Sequence, residues 1–85
     1  MPMSKTIPYA PEPIEVTVRD GKPAMVRIKR RRFPVLEVVN IWRIDEEWWR
    51  KAFSRLYFLL EVEGGMRITL FHDLENGGWY RQNWA

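Results

Sequence analysis

The sequence predicts an all-β fold, with six short antiparallel strands in a meander that curls into a small barrel or a strongly bent sheet. Three observations predict it. Short runs in which apolar and polar residues alternate recur along the chain. Turn sequences that contain Gly separate several of these runs. One central run is apolar on both faces, as expected of a wall in a closed barrel.

The first 13 residues are predicted to form a flexible arm, followed by a single β domain over residues 14–85. The arm contains four prolines and no periodic pattern, so it has neither the alternation of a strand nor the spacing of a helix. A chain of 85 residues has room for one domain.

The first predicted hairpin turns at Asp20-Gly21, a typical turn sequence. A two-residue loop there would place Val26 opposite Glu15, whereas a three-residue loop places it opposite Val16. Because a slip of one residue moves every side chain to the other face, we expect the three-residue loop, residues 20–22. Its apolar pairs are Ile14–Ile28, Val16–Val26 and Val18–Ala24.

The third predicted strand, residues 35–43, follows a bend at Phe33-Pro34 and is apolar on both faces. Trp42 is expected in the core. Residues 45–54 break the alternation, and they are predicted to form one loop or helical turn with Asp45 as a possible N-cap.

The clearest predicted hairpin joins residues 55–63 to residues 66–73 through Glu63-Gly64-Gly65, which suits a three-residue turn with a bulge. A single register satisfies both faces, and each cross-strand pair is worth roughly 0.2–1 kcal/mol. The inner pairs are Phe58–Leu70, Leu60–Ile68 and Val62–Met66, and the outer pairs are Arg55–Asp73, Tyr57–Phe71 and Glu61–Arg67. A last strand, residues 79–84, then follows, in which either Trp79 or Tyr80 faces the core.

The composition excludes several kinds of site and location. The chain has no cysteine, so it forms neither a disulfide nor a thiolate metal site, which fits a reducing compartment. No apolar run approaches the roughly 18 residues of a membrane span. The N-terminus lacks the apolar core of a signal peptide. We therefore expect a cytoplasmic protein that does not cross a membrane.

Catalytic machinery is hard to assemble from these residues. His72 is the only histidine, and on a predicted strand it is expected to pack or lie at the surface rather than act as a general base. The acidic residues 45–47 have no second cluster at a fixed offset, so they predict a solvated turn rather than a metal site. We therefore predict no catalytic residue, no metal, no cofactor and no enzymatic activity.

Positive charge is concentrated in one short segment. Residues 19–32 carry seven basic residues against Asp20 alone, a local charge of +6 in a chain of net charge +3. Such a stripe favours nucleic acid, phosphate or an acidic protein face, and a solvated hairpin that aids solubility is the alternative. Small β-barrels bind single strands with a basic groove and stacking aromatics. The predicted nucleic-acid-binding residues are Arg27, Lys29, Arg30, Arg31 and Arg32.

Two adjacent tryptophans are a second candidate site. Trp48 and Trp49 fall in the predicted connection 45–54, where they would anchor it over an open end of the sheet. Exposed Trp and Arg are typical of protein-binding surfaces, so these two are the predicted partner-binding residues. Docking on another protein and self-association of the domain are thus the alternatives to nucleic-acid binding.

Several motifs of the chain resemble those of a known domain, and the resemblance spans about residues 14–84. The motifs are Pro23, R-R-F at 31–33, L-E-V-V-N-I-W-R at 36–43, W-W at 48–49, R-L-Y-F at 55–58, I-T-L-F-H-D at 68–73, G-W-Y at 78–80 and an aromatic at 84. They resemble a small bacterial domain of unknown function, which also occurs as the C-terminal tail of DinB-like (ImuB-type) Y-family polymerase homologues. Arg81 stands where the resemblance implies an apolar residue.

This resemblance implies a biological context rather than a chemistry. The motifs are aromatic and structural, and the family has no catalytic residues to transfer. What it implies is an accessory binding module in DNA damage tolerance and translesion synthesis. The implied partner is DNA or a DNA-bound, polymerase-like protein.

Overall fold

A computed structural model describes residues 11–48 and 51–82, which form one antiparallel sheet that curls strongly into a half-barrel. The predicted all-β class is confirmed. The described part contains seven strands rather than six, because residues 12–13 form a short additional one. In chain order the strands are β1 (Glu12–Pro13), β2 (Glu15–Arg19), β3 (Lys22–Ile28), β4 (Arg31–Trp48), β5 (Lys51–Val62), β6 (Met66–Asp73) and β7 (Trp79–Gln82).

One chain segment pairs with both ends of the sheet and so holds its curl. The strand order is β1-β7-β6-β5-β4-β3-β2, and β1 and β2, which are neighbours in sequence, lie at opposite ends of it. Between them the Ile14 N–H donates to the Trp79 carbonyl oxygen at 3.1 Å. Ile14 therefore bonds to β7 and does not form the predicted pair with Ile28.

The first hairpin has a two-residue loop at Asp20-Gly21, so the predicted three-residue loop is wrong. Both residues have positive φ, 54° and 76°. These values are those of a type I′ turn, whose twist matches that of the flanking strands. The predicted pair Val16–Val26 nevertheless forms, because a β-bulge at Ala24 restores the register. Val18 consequently does not pair with Ala24.

Two β-bulges bend β4. Leu36 and Val39 are each an extra residue between consecutive pairs with β5. Because each bulge delays the alternation by one residue, residues on the inner face of β4 recur every three positions instead of every two, at Val35, Val38 and Ile41. Residues 35–43 repeat two apolar residues and one polar residue three times. The bulges explain why this pattern has a period of three.

The predicted loop or helical turn at residues 45–54 is wrong. β4 continues to Trp48 and β5 begins at Lys51, and these two residues pair at the end of the hairpin. Asp45 pairs with Ser54 within the ladder and caps no helix. A strand already in register with its partner extends through a polar run, because β-structure depends more on pairing than on local preference.

The β5–β6 hairpin has the predicted register at every pair named above. Gly64 and Gly65 in its loop have positive φ, 102° and 80°, which glycine adopts without steric cost. On the outer face, Glu61 and Arg67 form an exposed ion pair at 4.0 Å. On the inner face, this hairpin supplies most of the buried core, which consists of Val26, Phe58, Leu60, Val62, Ile68 and Leu70.

A row of aromatic rings crosses the outer face of the sheet. Trp42 stacks on Tyr57 with ring centroids 5.4 Å apart, and Tyr57 contacts Phe71 at 5.1 Å. Phe71 in turn stacks on Tyr80 at 5.2 Å. Successive members are direct cross-strand neighbours from β4 to β7. Trp42 is half-buried in this row, so the prediction that it lies in the core is wrong.

Trp79, rather than Tyr80, faces the core. Its ring centroid lies 5.6 Å from that of Phe58. It also stacks on His72 with centroids 4.2 Å apart and planes 3° apart. Because side chains alternate along a strand, Tyr80 then faces outward and Arg81 faces inward.

Candidate functional site

The five basic residues that the sequence predicts to bind nucleic acid all lie on the β3–β4 hairpin. Lys29 and Arg30 form the two-residue turn at its tip, and Lys29 has a positive φ of 59°, as a tight hairpin turn requires. Strand alternation places Arg27 and Arg32 on the outer face and Arg31 on the inner face. The five predicted cations are thus carried by one hairpin and lie at its tip and on both of its faces.

Arg27 and Arg32 are direct cross-strand neighbours on the outer face. Arg27 Nη1 lies 3.2 Å from Glu15 Oε1 in an exposed ion pair. Among the described residues, no carboxylate lies within ion-pair distance of Arg32. Like charges directly opposite each other destabilise a sheet, so an anion bound between the two guanidinium groups would offset their repulsion.

Lys29 and Arg31 line the mouth of the half-barrel together with Arg81 from β7. The cavity at this mouth has a volume of about 260 Å³. The Arg31 guanidinium lies 5.5 Å from the centre of the Phe33 ring. The apolar part of the cavity lining consists of Ile28, Phe33 and Met66. Three cations around an apolar surface suit an anion that also carries a flat apolar group.

Arg81 is the cation of this site that the basic run in the sequence does not reveal. It lies on the inner face of β7 opposite Leu70, where an apolar side chain would be expected to extend the core. The signal that could have identified it is the alternation of β7, since Trp79 and Arg81 share a face. The sequence alone does not determine whether Trp79 or Tyr80 faces the core, so it does not assign Arg81 to a face.

A larger cleft of about 630 Å³ lies between the β1–β2 segment and the end of β3. Its lining contains the carboxylates of Glu12 and Glu15 as well as Arg27 and Lys29. Acidic groups along the cleft repel a polyanion. The positive potential is therefore expected to be greatest at the hairpin tip and at the barrel mouth.

Of the two predicted partner-binding residues, Trp48 is the last residue of β4. The Trp48 backbone pairs with Lys51, whereas the Trp48 side chain and Trp49 lie outside the described residues. The ladder between β5 and β6 ends at Arg55, so the end of the β4–β5 hairpin extends beyond β6. Protein docking through the two tryptophans stays a prediction.

His72 has a packing role in the fold. Its ring stacks on Trp79, and Nε2 is 3.2 Å from the carbonyl oxygen of Gly77. Since a carbonyl oxygen can only accept a hydrogen bond, Nε2 carries the proton in this contact. The contact holds the turn between β6 and β7 against the sheet.

The acidic residues 45–47 lie on a strand, which divides them between two faces. Asp45 accepts hydrogen bonds from the Ser54 hydroxyl and from Arg43 Nε. The Ser54 hydrogen bond, and secondly the Arg43 guanidinium, lower the pKa of Asp45 below its ordinary value of 3.8. In residues 11–48 and 51–82, no three His, Asp or Glu side chains are grouped so that they could hold a metal ion.

Comparison of the chain with models of known families, with curated proteins and with solved structures finds no match. The likeness to the polymerase-tail domain thus stays an expectation from the sequence motifs. The described part of the chain contains no helix that could span a membrane. The features of the molecule that indicate a function are therefore the basic hairpin and the barrel mouth.

Proposed function

We propose that this domain is a non-enzymatic accessory module that binds single-stranded nucleic acid through the β3–β4 hairpin. The observation that carries the proposal is the placement of its cations. Lys29 and Arg30 form the exposed tip, Arg32 lies on the outer face and Arg31 lies at the barrel mouth. None of these four has a carboxylate within ion-pair distance among the described residues. Guanidinium groups without such partners favour phosphate oxygens, which they bind in bidentate fashion.

The outer face of the hairpin supports contacts to a phosphate backbone. Among the described residues Arg32 has no ion-pair partner, and the one ion pair of Arg27 is the exposed pair with Glu15. Exposed ion pairs of this kind contribute about 0–1 kcal/mol, so exchange of the Glu15 carboxylate for a phosphate costs little. Two neighbouring guanidinium groups can therefore contact one nucleic-acid strand together.

The barrel mouth supports a preference for single strands over duplex. Arg31 presents its guanidinium above Phe33, and Lys29 and Arg81 flank the same cavity. An unpaired base can turn out of a single strand and stack on an arginine plane. Stacking contributes about 1–3 kcal/mol per base, whereas a base held in a duplex cannot reach this cavity.

The resemblance of the sequence motifs to the polymerase-tail domain supports a biological setting for this activity. In that setting the domain acts in the cytoplasm, in DNA damage tolerance and translesion synthesis. Its partner is then DNA, or DNA already bound by a polymerase-like protein.

Fluorescence anisotropy with labelled single-stranded and duplex DNA, titrated against salt, tests the proposal. We expect binding at about 50 mM salt that weakens steeply as salt rises, with a slope of about −0.7 per phosphate contact for single strands. We also expect the single strand to bind more tightly than the duplex. Absence of binding at low salt would contradict the proposal.

A matched pair of arginine substitutions separates a local site from general positive charge. Arg32→Gln and Arg67→Gln each remove one exposed cation from a strand, but only Arg32 lies on the β3–β4 hairpin. We expect Arg32→Gln to weaken binding several-fold and to reduce the salt slope by about one contact, while Arg67→Gln leaves both near the wild-type values. Equal losses in the two variants would contradict a site on the hairpin.

A further inference from the structure

Within the described part of the chain, β4 has an unpaired edge along residues 40–48. β3 pairs with β4 only as far as Pro34, and from Val35 onward the pairing partner of β4 is β5 on its other side. Among the described residues, no strand pairs with β4 beyond this point on the β3 side. A long unpaired edge exposes backbone N–H and C=O groups that can bond to another strand.

The direction of these backbone groups follows from a hydrogen bond at Ile41. The Ile41 N–H donates to the side-chain oxygen of Asn40 at 2.9 Å, so it points away from β5. The β4–β5 register is regular from Asn40 to Trp48. In a regular antiparallel ladder alternate residues point their backbone groups the same way. The backbone groups of Arg43, Asp45 and Glu47 therefore also point away from β5, along the unpaired edge.

We propose that a second copy of this chain pairs with the unpaired edge of β4, antiparallel, about a two-fold axis at Ile44. Hydrogen bonds between the two copies form only where residues whose backbone groups point outward lie opposite each other. Since these are alternate residues of β4, the two-fold axis must pass through a residue and not between two residues. An axis at Arg43 would place Arg43 opposite itself, and an axis at Asp45 would place Asp45 opposite itself. The axis at Ile44 places Arg43 of each copy opposite Asp45 of the other.

Charge therefore selects the register. Opposite charges on directly opposed residues stabilise an antiparallel pair, and like charges there destabilise it. Arg43 and Asp45 are both more than half exposed and lie on the same face of β4, where they form an ion pair with each other. Because an exposed pair of this kind contributes only about 0–1 kcal/mol, it can be exchanged for the two pairs across the edge. The same register places Ile41, which is 41% exposed, opposite Glu47 of the other copy, whose aliphatic part can cover it. In this pair the Ile41 N–H exchanges its bond to the Asn40 side-chain oxygen for a bond to the Glu47 carbonyl oxygen of the other copy. A self-complementary sheet edge of this kind is the isologous contact that a two-fold dimer requires.

Dimerisation through this edge is independent of nucleic-acid binding, and its test uses the 85-residue chain without DNA. Sedimentation velocity and native mass spectrometry of the wild type should show a concentration-dependent dimer. Arg43→Asp leaves two acids on the edge, and Asp45→Arg leaves two bases, so each variant alone should be monomeric. Circular dichroism of each variant checks that it is folded. The control Glu63→Arg makes the same charge change as Asp45→Arg, but in the β5–β6 loop, and should dimerise as the wild type does.

The decisive measurement is the mixture of the two single variants. In a heterodimer of Arg43→Asp with Asp45→Arg, every Asp again lies opposite an Arg of the other copy, although neither chain has regained its own internal pair. We expect native mass spectrometry of an equimolar mixture to show the heterodimer and neither homodimer. A wild type that stays monomeric at about 1 mM, or a mixture of folded variants that does not associate, would overturn the proposal.

Discussion

The Arg55 guanidinium lies 4.4 Å from the centre of the Phe71 ring on the outer face of the sheet. It also lies 4.7 Å from the Phe53 ring, and its Nη1 is 3.4 Å from the Tyr57 hydroxyl. Its Nε is buried and has no hydrogen-bond partner among the residues that the structure describes. Asp73, the cross-strand neighbour of Arg55, accepts hydrogen bonds from backbone N–H groups of the following turn. Arg55 thus covers the outer aromatic row in the way that a large apolar side chain would.

Substitution of Arg55 separates the contribution of its packing from that of its charge. We expect Arg55→Ala to lower the free energy of unfolding by about 2–3 kcal/mol, because it uncovers Phe71 and removes a cation–π contact. Arg55→Met keeps most of the contact area and removes the unpaired Nε, so its loss should stay within about 1 kcal/mol. Urea unfolding measures both variants. Equal losses would show that charge, and not coverage, is what Arg55 contributes.

The β5–β6 hairpin could be predicted residue by residue, because one register satisfies both of its faces at once. Phe58–Leu70 on the inner face and Glu61–Arg67 on the outer face require the same alignment. Two independent patterns that agree leave few alternatives. The first hairpin offers a single apolar pattern, and a bulge at Ala24 allows that pattern to coexist with a shorter loop.

The course of β4 could not be predicted, because strand prediction assumes a period of two. The bulges at Leu36 and Val39 create a period of three, which imitates a strand that is apolar on both faces. Within the candidate site, the charge run identifies the hairpin cations without structural help. Arg81 lies near these cations only because the curl of the sheet brings β7 close to the β3–β4 hairpin. No local sequence pattern predicts that these two elements lie close together.

Two aspartate substitutions test whether the bulges at Leu36 and Val39 set the period of three in β4. Val38 packs against the core, so Val38→Asp should lower the free energy of unfolding by about 2–3 kcal/mol. Leu36, at the first bulge, is 61% exposed, and Leu36→Asp should change it by no more than about 0.5 kcal/mol. Thermal and urea unfolding compare the two. A strand without bulges would give Leu36 and Val38 equivalent positions and hence similar losses.

The Ser54 hydroxyl should control the titration of Asp45. The pKa of Asp45 is lowered in the folded chain, so this carboxylate stabilises the fold above its ordinary pKa of 3.8. That contribution is lost as the pH falls through the lowered folded-state pKa. We expect Ser54→Ala to raise the pKa of Asp45 toward 3.8, as followed by the carboxyl carbon in an NMR titration. Thr17→Ala, which removes an exposed hydroxyl elsewhere, should leave the pKa of Asp45 where it is in the wild type.

Arg81 should contribute to binding at the expense of stability. It occupies an inner position beside the buried Leu70, so Arg81→Leu should raise the free energy of unfolding by about 0.5–1 kcal/mol through added apolar burial. The same change removes a cation from the barrel mouth. DNA affinity should therefore fall several-fold, and the salt slope should shrink by about one phosphate contact. Arg81→Lys retains the charge and should keep the slope. A variant that is more stable and binds as the wild type does would exclude Arg81 from the interface, while leaving the hairpin cations to be tested on their own.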